Sequence, residues 1–321
     1  MRRYIHWGAP DIFAFIVTTP SHYYMFKTTF STSVTLEKRT KFWLLVIAVS
    51  LIAIHLNVIS KYGDSKLLST SIIFLSAVLF NLWKKSDGIR VDSNKNSKVI
   101  GIGIIAFVLF KTSFISKFDY FIQISPLLSA LGMSLLASGV KGLKQYLQEL
   151  ILLLTLAIPF EVIIPHLLDL ATLTAQAAAS ILWCLGFKVL HQGVNVILPT
   201  GSVEVSPECS GVKVVARMLR IAILFLVTFP RPWIQNILFP VVAVGIAFIV
   251  NAVRVAILAV LVSESKHSLF EFLHNSGGHL FTMTSIIIFA FLCYFTVNLN
   301  GTIEATNMET VGCSKHEERS P

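Results

Sequence analysis

Charged side chains are scarce in this sequence: Asp, Glu, Lys and Arg make up 13% of its 321 residues, where a soluble domain carries about 25%. Phe42–Ser60, Tyr120–Val140, Trp233–Val253 and Leu280–Leu299 contain none of them. Each of these segments reaches the roughly 20 residues with which an α-helix crosses about 30 Å of hydrocarbon, which excludes a soluble globular reading. Cysteine is sparse too. Cys184, Cys209, Cys293 and Cys313 form no CxxC pair and no zinc-type spacing, which argues against a disulfide framework. An HExxH pair and a GxSxG elbow are both missing, and Asp119 and Asp169 fall at segment ends. Metallopeptidase, serine-elbow and aspartyl intramembrane chemistries lose their usual carriers. Met1–Arg39 lacks the continuous apolar core of a cleavable signal peptide.

What remains is apolar: 55% of residues are hydrophobic and the mean hydropathy is +0.74. The pattern is that of an all-α polytopic membrane protein with about eight transmembrane helices, near 42–60, 67–83, 99–116, 120–140, 146–166, 211–229, 233–253 and 279–298. The regions that follow are a cytoplasmic N-terminal arm (1–41), N-terminal transmembrane helices (42–145), a C-terminal membrane core (146–298) and a flexible cytoplasmic tail (299–321). The net charge of +9, from 26 basic and 17 acidic residues, sits largely in short loops. Lys84–Lys98 holds five basic residues, and Lys141, Lys144 and Arg231 mark further basic turns. This asymmetry puts both termini on the cytoplasmic side of the cell membrane. No basic stripe with interleaved aromatics is present, so membrane lipids are expected partners and nucleic acid is not.

Ala171–Phe187 is uncharged and long enough to span, yet rich in Ala, Thr and Gln. It reads as a helix lying at the interface or packed within the bundle. Beyond it, Val194–Leu198 and Val203–Val205 flank Pro199-Thr200-Gly201-Ser202, the pattern of a small hairpin. Lipid-exposed strands are not viable in the bilayer core, so the hairpin belongs outside the hydrocarbon, on the extracytoplasmic side.

Cys209 follows, in Ser206-Pro207-Glu208-Cys209-Ser210-Gly211-Val212-Lys213, at the start of the sixth span. A thiol at a helix N-terminus feels the positive end of the macrodipole, which favours the thiolate. Lys213, Arg217 and Arg220 follow at helical spacing, while Glu208 acts in the opposite sense. The same position also suits a small buried Cys that packs as a hydrophobe. Arg254 closes a 21-residue uncharged stretch, three residues after Asn251 on one helix face. Charge at membrane depth marks function by default; the competing reading is an Arg snorkelling at a helix end. His274, in Leu273-His274-Asn275-Ser276-Gly277-Gly278-His279, precedes the last span. There an imidazole can carry protons near neutral pH or simply be solvated, and His267, His279, His166 and His191 are its rivals. The predicted topology brings Cys209, Arg254 and His274 to one membrane face, the outer one. A thiol, a proton carrier and a cation able to stabilise an oxyanion are the minimum for acyl transfer.

These residues, in this order, resemble the signature of the exosortase/archaeosortase family: Cys209-Ser210-Gly211 opening a helix, Asn251-x-x-Arg254 on the next, and His274-x-x-x-Gly278 after that. The resemblance covers roughly 151–295 and takes in Ile158-Pro159, Gly193–Leu198 and Val203–Pro207; Lys213 and Pro207-Glu208 are similar to the cyanobacterial branch. It implies a cysteine peptidase or transpeptidase with Cys209 as nucleophile, Arg254 as the oxyanion-stabilising or substrate-orienting cation and His274 as acid/base, with no cofactor or metal. Its implied partners are exported proteins ending in a short Pro-Glu-Pro-type motif, a transmembrane helix and a basic cluster. These would be cleaved through an acyl-enzyme at the extracytoplasmic face. The alternative is a non-enzymatic membrane protein, a transporter subunit or exopolysaccharide-assembly scaffold, with Lys213, Arg217, Arg254, Glu149 and Glu161 along a translocation path. No repeated half or pair of broken helices speaks for it.

Overall fold

The structure, a computed structural model, describes residues 20–296 apart from Asp64, Phe118, Pro230 and Ser276. The first part of the expected arm (1–19) and the expected tail (299–321) lie outside the described residues. The chain is an α-helical membrane protein with one small sheet. Helices α1 (Pro20–Tyr62), α2 (Ser65–Lys85), α3 (Lys95–Ser113), α4 (Phe121–Gly142) and α5 (Leu147–Ala157) form its first half. The first span continues back as one helix into the expected arm.

Local chemistry sets these elements. Asn94 caps α3, its side chain accepting from the Ser97 amide at 2.9 Å. Helix α3 lies against α4 at a glycine pair: a Cβ on Gly101 would stand 2.6 Å from the Gly132 carbonyl oxygen. Such close backbone approach is how small residues hold helices together in lipid. Near the end of α4, Gly139 adopts φ 63° and ψ −175°, a conformation suited to glycine. Beyond it α5 folds back along α4, so that Leu127 and Ala130 share an apolar cluster with Leu152, Leu153 and Leu156.

The expected fifth span, 146–166, is broken. Ile158 is extended (ψ 121°) ahead of Pro159, as the residue before a proline tends to be. The chain then continues as α6 (Phe160–Leu167) and α7 (Leu170–Cys184), which meet at 73°. Helix α7 packs within the molecule, with Thr174, Ala175 and Ala178 fully buried. After it comes the expected hairpin, β2 (Asn195–Leu198) and β3 (Gly201–Glu204), preceded by one more strand, β1 (Leu190–Gln192), in an antiparallel meander ordered β1-β2-β3.

Helices α8 (Val212–Thr228), α9 (Trp233–Ser263), α10 (His267–Asn275) and α11 (Gly278–Thr296) complete the described residues. Among the described residues, six helices are long and apolar enough to cross a membrane, or seven if the bent α6–α7 pair is one span. The sequence suggested about eight. The difference lies in α8, which is 17 residues long, and in the expected 146–166 span, whose first part counts with α4 in the single stretch Phe121–Ala157 and whose last part falls in the bent α6–α7 pair. Helix α9 is longer than expected. Its 31 residues extend roughly 46 Å at 1.5 Å per residue, well beyond a 30 Å hydrocarbon layer. Its C-terminal end carries the meander: Thr200 Oγ1 donates to the Ser263 carbonyl at 2.9 Å, and a Cβ on Gly201 would stand 3.0 Å from Val262.

Candidate active site

A tight turn delivers Cys209. Its amide and that of Ser210 both donate to the Ser206 carbonyl at 2.9 Å, winding 206–210 into a single turn ahead of α8. Gly211 then takes a left-handed conformation, φ 87°, that most side chains resist. A Cβ there would also lie 2.6 Å from Asn251 Nδ2. Other groups satisfy the carbonyls of this turn. Asn251 Nδ2, on α9, donates to Cys209 O at 2.9 Å, and Thr174 Oγ1, on α7, donates to Ser210 O at 3.0 Å. Ser210 Oγ donates to Pro207 O at 2.7 Å. A buried acceptor left bare costs about 1–3 kcal/mol, so α7 and α9 fix the backbone around Cys209 without engaging its sulfur.

The sulfur faces α10. Cys209 Sγ lies 3.5 Å from His274 Nδ1, and the tautomer decides which of the two carries the proton. Phe270, one turn earlier on α10, stacks on the imidazole with centroids 5.4 Å apart and planes inclined by 14°. Arg254 completes the group. Its Nη2 donates to the His274 carbonyl at 2.8 Å, and Gly278 leaves room for it, since a Cβ there would stand 3.2 Å from Nη2. Cys209 is 5% exposed and Arg254 9%, whereas His274 is half-buried, so the cluster opens on the histidine side. Arg254 Nε and Asn251 Oδ1 are buried without a hydrogen-bond partner among the described residues. They are a donor and an acceptor next to the thiol and the imidazole.

The residues singled out in the sequence are therefore brought together, with two changes in setting. Arg254 does not end its helix: α9 runs on to Ser263, so the side chain is held inside the fold and does not snorkel from a terminus. His274 sits in the last turn of a short helix, where a loop had been expected. Among its rivals, His267, His279 and His166 are exposed and His191 lies in β1. Lys213 is an exposed residue 3.9 Å from Glu208, a surface pair of little energetic weight.

Arg220 is engaged elsewhere. Its guanidinium grips Glu161 through two contacts of 2.6 and 2.9 Å, donates to the Ile158 carbonyl at 3.1 Å and lies over the Phe160 ring at 5.4 Å. This strut secures the broken backbone between α5 and α6, where an unpaired carbonyl would be expensive in lipid. Glu149 pairs with Lys85 at 3.0 Å. Four of the charges that a translocation path would use are thus engaged in four separate places: Lys213 with Glu208, Arg254 with His274, Glu161 with Arg220 and Glu149 with Lys85. Among the described residues no cluster of His, Cys, Asp or Glu could hold a metal ion.

Sequence reasoning missed Phe270 and Thr174. Phe270 stands four residues before His274, a helical spacing whose meaning depended on recognising α10; Thr174 carried no sequence signal for its long-range bond. Residues 62–291 match the family model described as transmembrane exosortase. No curated protein and no solved structure matches the chain.

Proposed function

Because the chain belongs to the transmembrane exosortase family, we propose that it is a membrane cysteine peptidase or transpeptidase acting on exported proteins that end in a short motif, a transmembrane helix and a basic cluster. The observation that carries this reading is the 3.5 Å approach of Cys209 Sγ to His274 Nδ1 beside the buried Arg254 guanidinium.

The chemistry follows from the geometry. His274 takes the thiol proton, and the thiolate attacks the carbonyl carbon of the scissile peptide bond. The oxyanion that forms is met by Arg254, whose Nε has no other partner among the described residues; such donors, placed in advance, stabilise charge as it develops. His274 then returns its proton to the leaving amine as the C–N bond breaks, leaving a thioester on Cys209. An amine, a hydroxyl or water attacks that thioester and restores the thiol. Phe270 holds the imidazole plane, and the Arg254–His274 carbonyl bond ties cation and base into one unit. In this reading the cluster acts at the boundary of the hydrocarbon on the extracytoplasmic side of the cell membrane; the length of α9 and the distribution of basic loops support it.

The test is a cell carrying a tagged substrate with such a tail. Cys209→Ala should abolish its processing while the protein still inserts and accumulates in the membrane. Normal processing by that variant would end the proposal.

A further inference from the structure

The small sheet ends in a free edge. In the ladder between β2 and β3, Val196 stands opposite Val203 and Ile197 opposite Ser202, with Asn195 opposite Glu204. The Val205 amide donates to the Val194 carbonyl at 2.9 Å, so 194 and 205 are a hydrogen-bonded pair. Such pairs alternate along an antiparallel ladder. Val203 therefore also turns its backbone groups toward β2, while Ser202 and Glu204 turn theirs away. Strand β3 is the last of the sheet, and both outward residues are exposed. The Glu204 carbonyl accepts from the Ser206 amide at 3.0 Å. The amide and carbonyl of Ser202 and the amide of Glu204 have no partner among the described residues. An open edge of this kind is a template for one more strand.

Its place in the fold says which strand that is. β1 packs on α7, β3 on α9 and β2 on both, so the free edge lies on the flank of α9 away from α7. Strand β3 begins beside the C-terminal end of α9, where Thr200 bonds to Ser263. The chain beyond it winds into the turn that holds Cys209 next to Asn251. The edge thus leads to the thiol. Its four residues extend about 13 Å at roughly 3.3 Å each.

We infer that the exported protein binds as a fourth strand on β3, through the residues just ahead of its scissile bond. This deepens the peptidase reading and rests on it: there a helix in hydrocarbon follows the cut, so the extended part lies upstream. The peptide runs parallel to β3, since both lead toward Cys209. One of its residues donates to the Ser202 carbonyl and accepts from the Glu204 amide, the slanted bonding of a parallel pair. The residues on either side turn their N–H groups away from β3. Recognition along this edge is of backbone, over about four residues at the strand spacing.

The experiment uses the full-length protein and the tagged substrate in cells. Ser202→Pro and Glu204→Pro each remove one outward amide, at a sheet edge where proline is tolerated. Each variant, purified, should melt as the native protein does, while processing slows about tenfold, the worth of one backbone hydrogen bond. In a Cys209→Ala background, a benzophenone amino acid in place of Ser202 or Glu204 should cross-link to uncleaved substrate on illumination. Both sites reached should lie upstream of the cut, the one from Ser202 nearer the substrate's N-terminus. Native processing rates in both proline variants overturn the inference, as do cross-links in the reverse order, cross-links to a second copy of the chain, or none to substrate. Normal processing by Cys209→Ala alone is a different failure, ending the peptidase reading and this inference with it.

Discussion

The sulfur of Cys209 and its neighbours divide into groups proposed to react and groups that hold. Cys209, His274 and Arg254 were legible from the sequence because each is anomalous for its place: a thiol and an imidazole at polar helix ends, and a guanidinium after a long uncharged run. The holding groups were not legible, because a bond such as Asn251 Nδ2 to Cys209 O at 2.9 Å joins residues that only tertiary packing makes neighbours. Replacing His274 by Ala should lower processing about 10²–10⁴-fold, the usual worth of a proton carrier, without altering membrane insertion; a time course of substrate cleavage reads it. Gly211→Ala should be harmful for a different reason. A left-handed residue with a Cβ costs about 1–2 kcal/mol, and here the Cβ would meet Asn251 Nδ2 at 2.6 Å. The melting temperature should fall, and activity should fall with it because the Cys209 carbonyl loses its donor.

Among the elements, the long uncharged helices were readable, and the breaks were less so. Pro159 marked the interruption at the end of α5, but the apolar run 151–164 continues through it and reads as one helix. What makes a break affordable in lipid is Arg220, whose bonds to Glu161 and Ile158 pair groups far apart in sequence. Arg220→Met should therefore destabilise the protein by about 1.5–3 kcal/mol, the range for hydrogen bonds to charged groups, seen as a lower melting temperature in detergent. Arg220→Lys should recover only part of the loss, because an ammonium cannot grip a carboxylate through two parallel bonds. Strand β1 escaped notice because three residues are too few to show alternation, whereas the β2–β3 hairpin was visible through its Pro/Gly turn. Helix α10 was missed for its brevity, and with it the stacking of Phe270.

For the molecule as a whole, the sidedness proposed from the basic loops can be tested without a substrate. Cys184 is exposed at the end of α7, next to the meander, whereas Cys293 is buried. Leu182, two residues before Cys184, packs in the same cluster as Cys209, so both thiols belong to one end of the protein. A membrane-impermeant maleimide should label Cys184 in intact cells, with or without Cys209, and leave Cys293 untouched. Labelling only after permeabilisation would invert the orientation.

The anchoring of the Cys209 turn by its carbonyls has a practical outcome. Nothing that positions the turn depends on the sulfur, so a protein stripped of that one atom keeps the shape of its doorway. Such a protein would still admit its cargo but could not let it go by cutting. It should hold uncleaved clients long enough for them to be purified and identified.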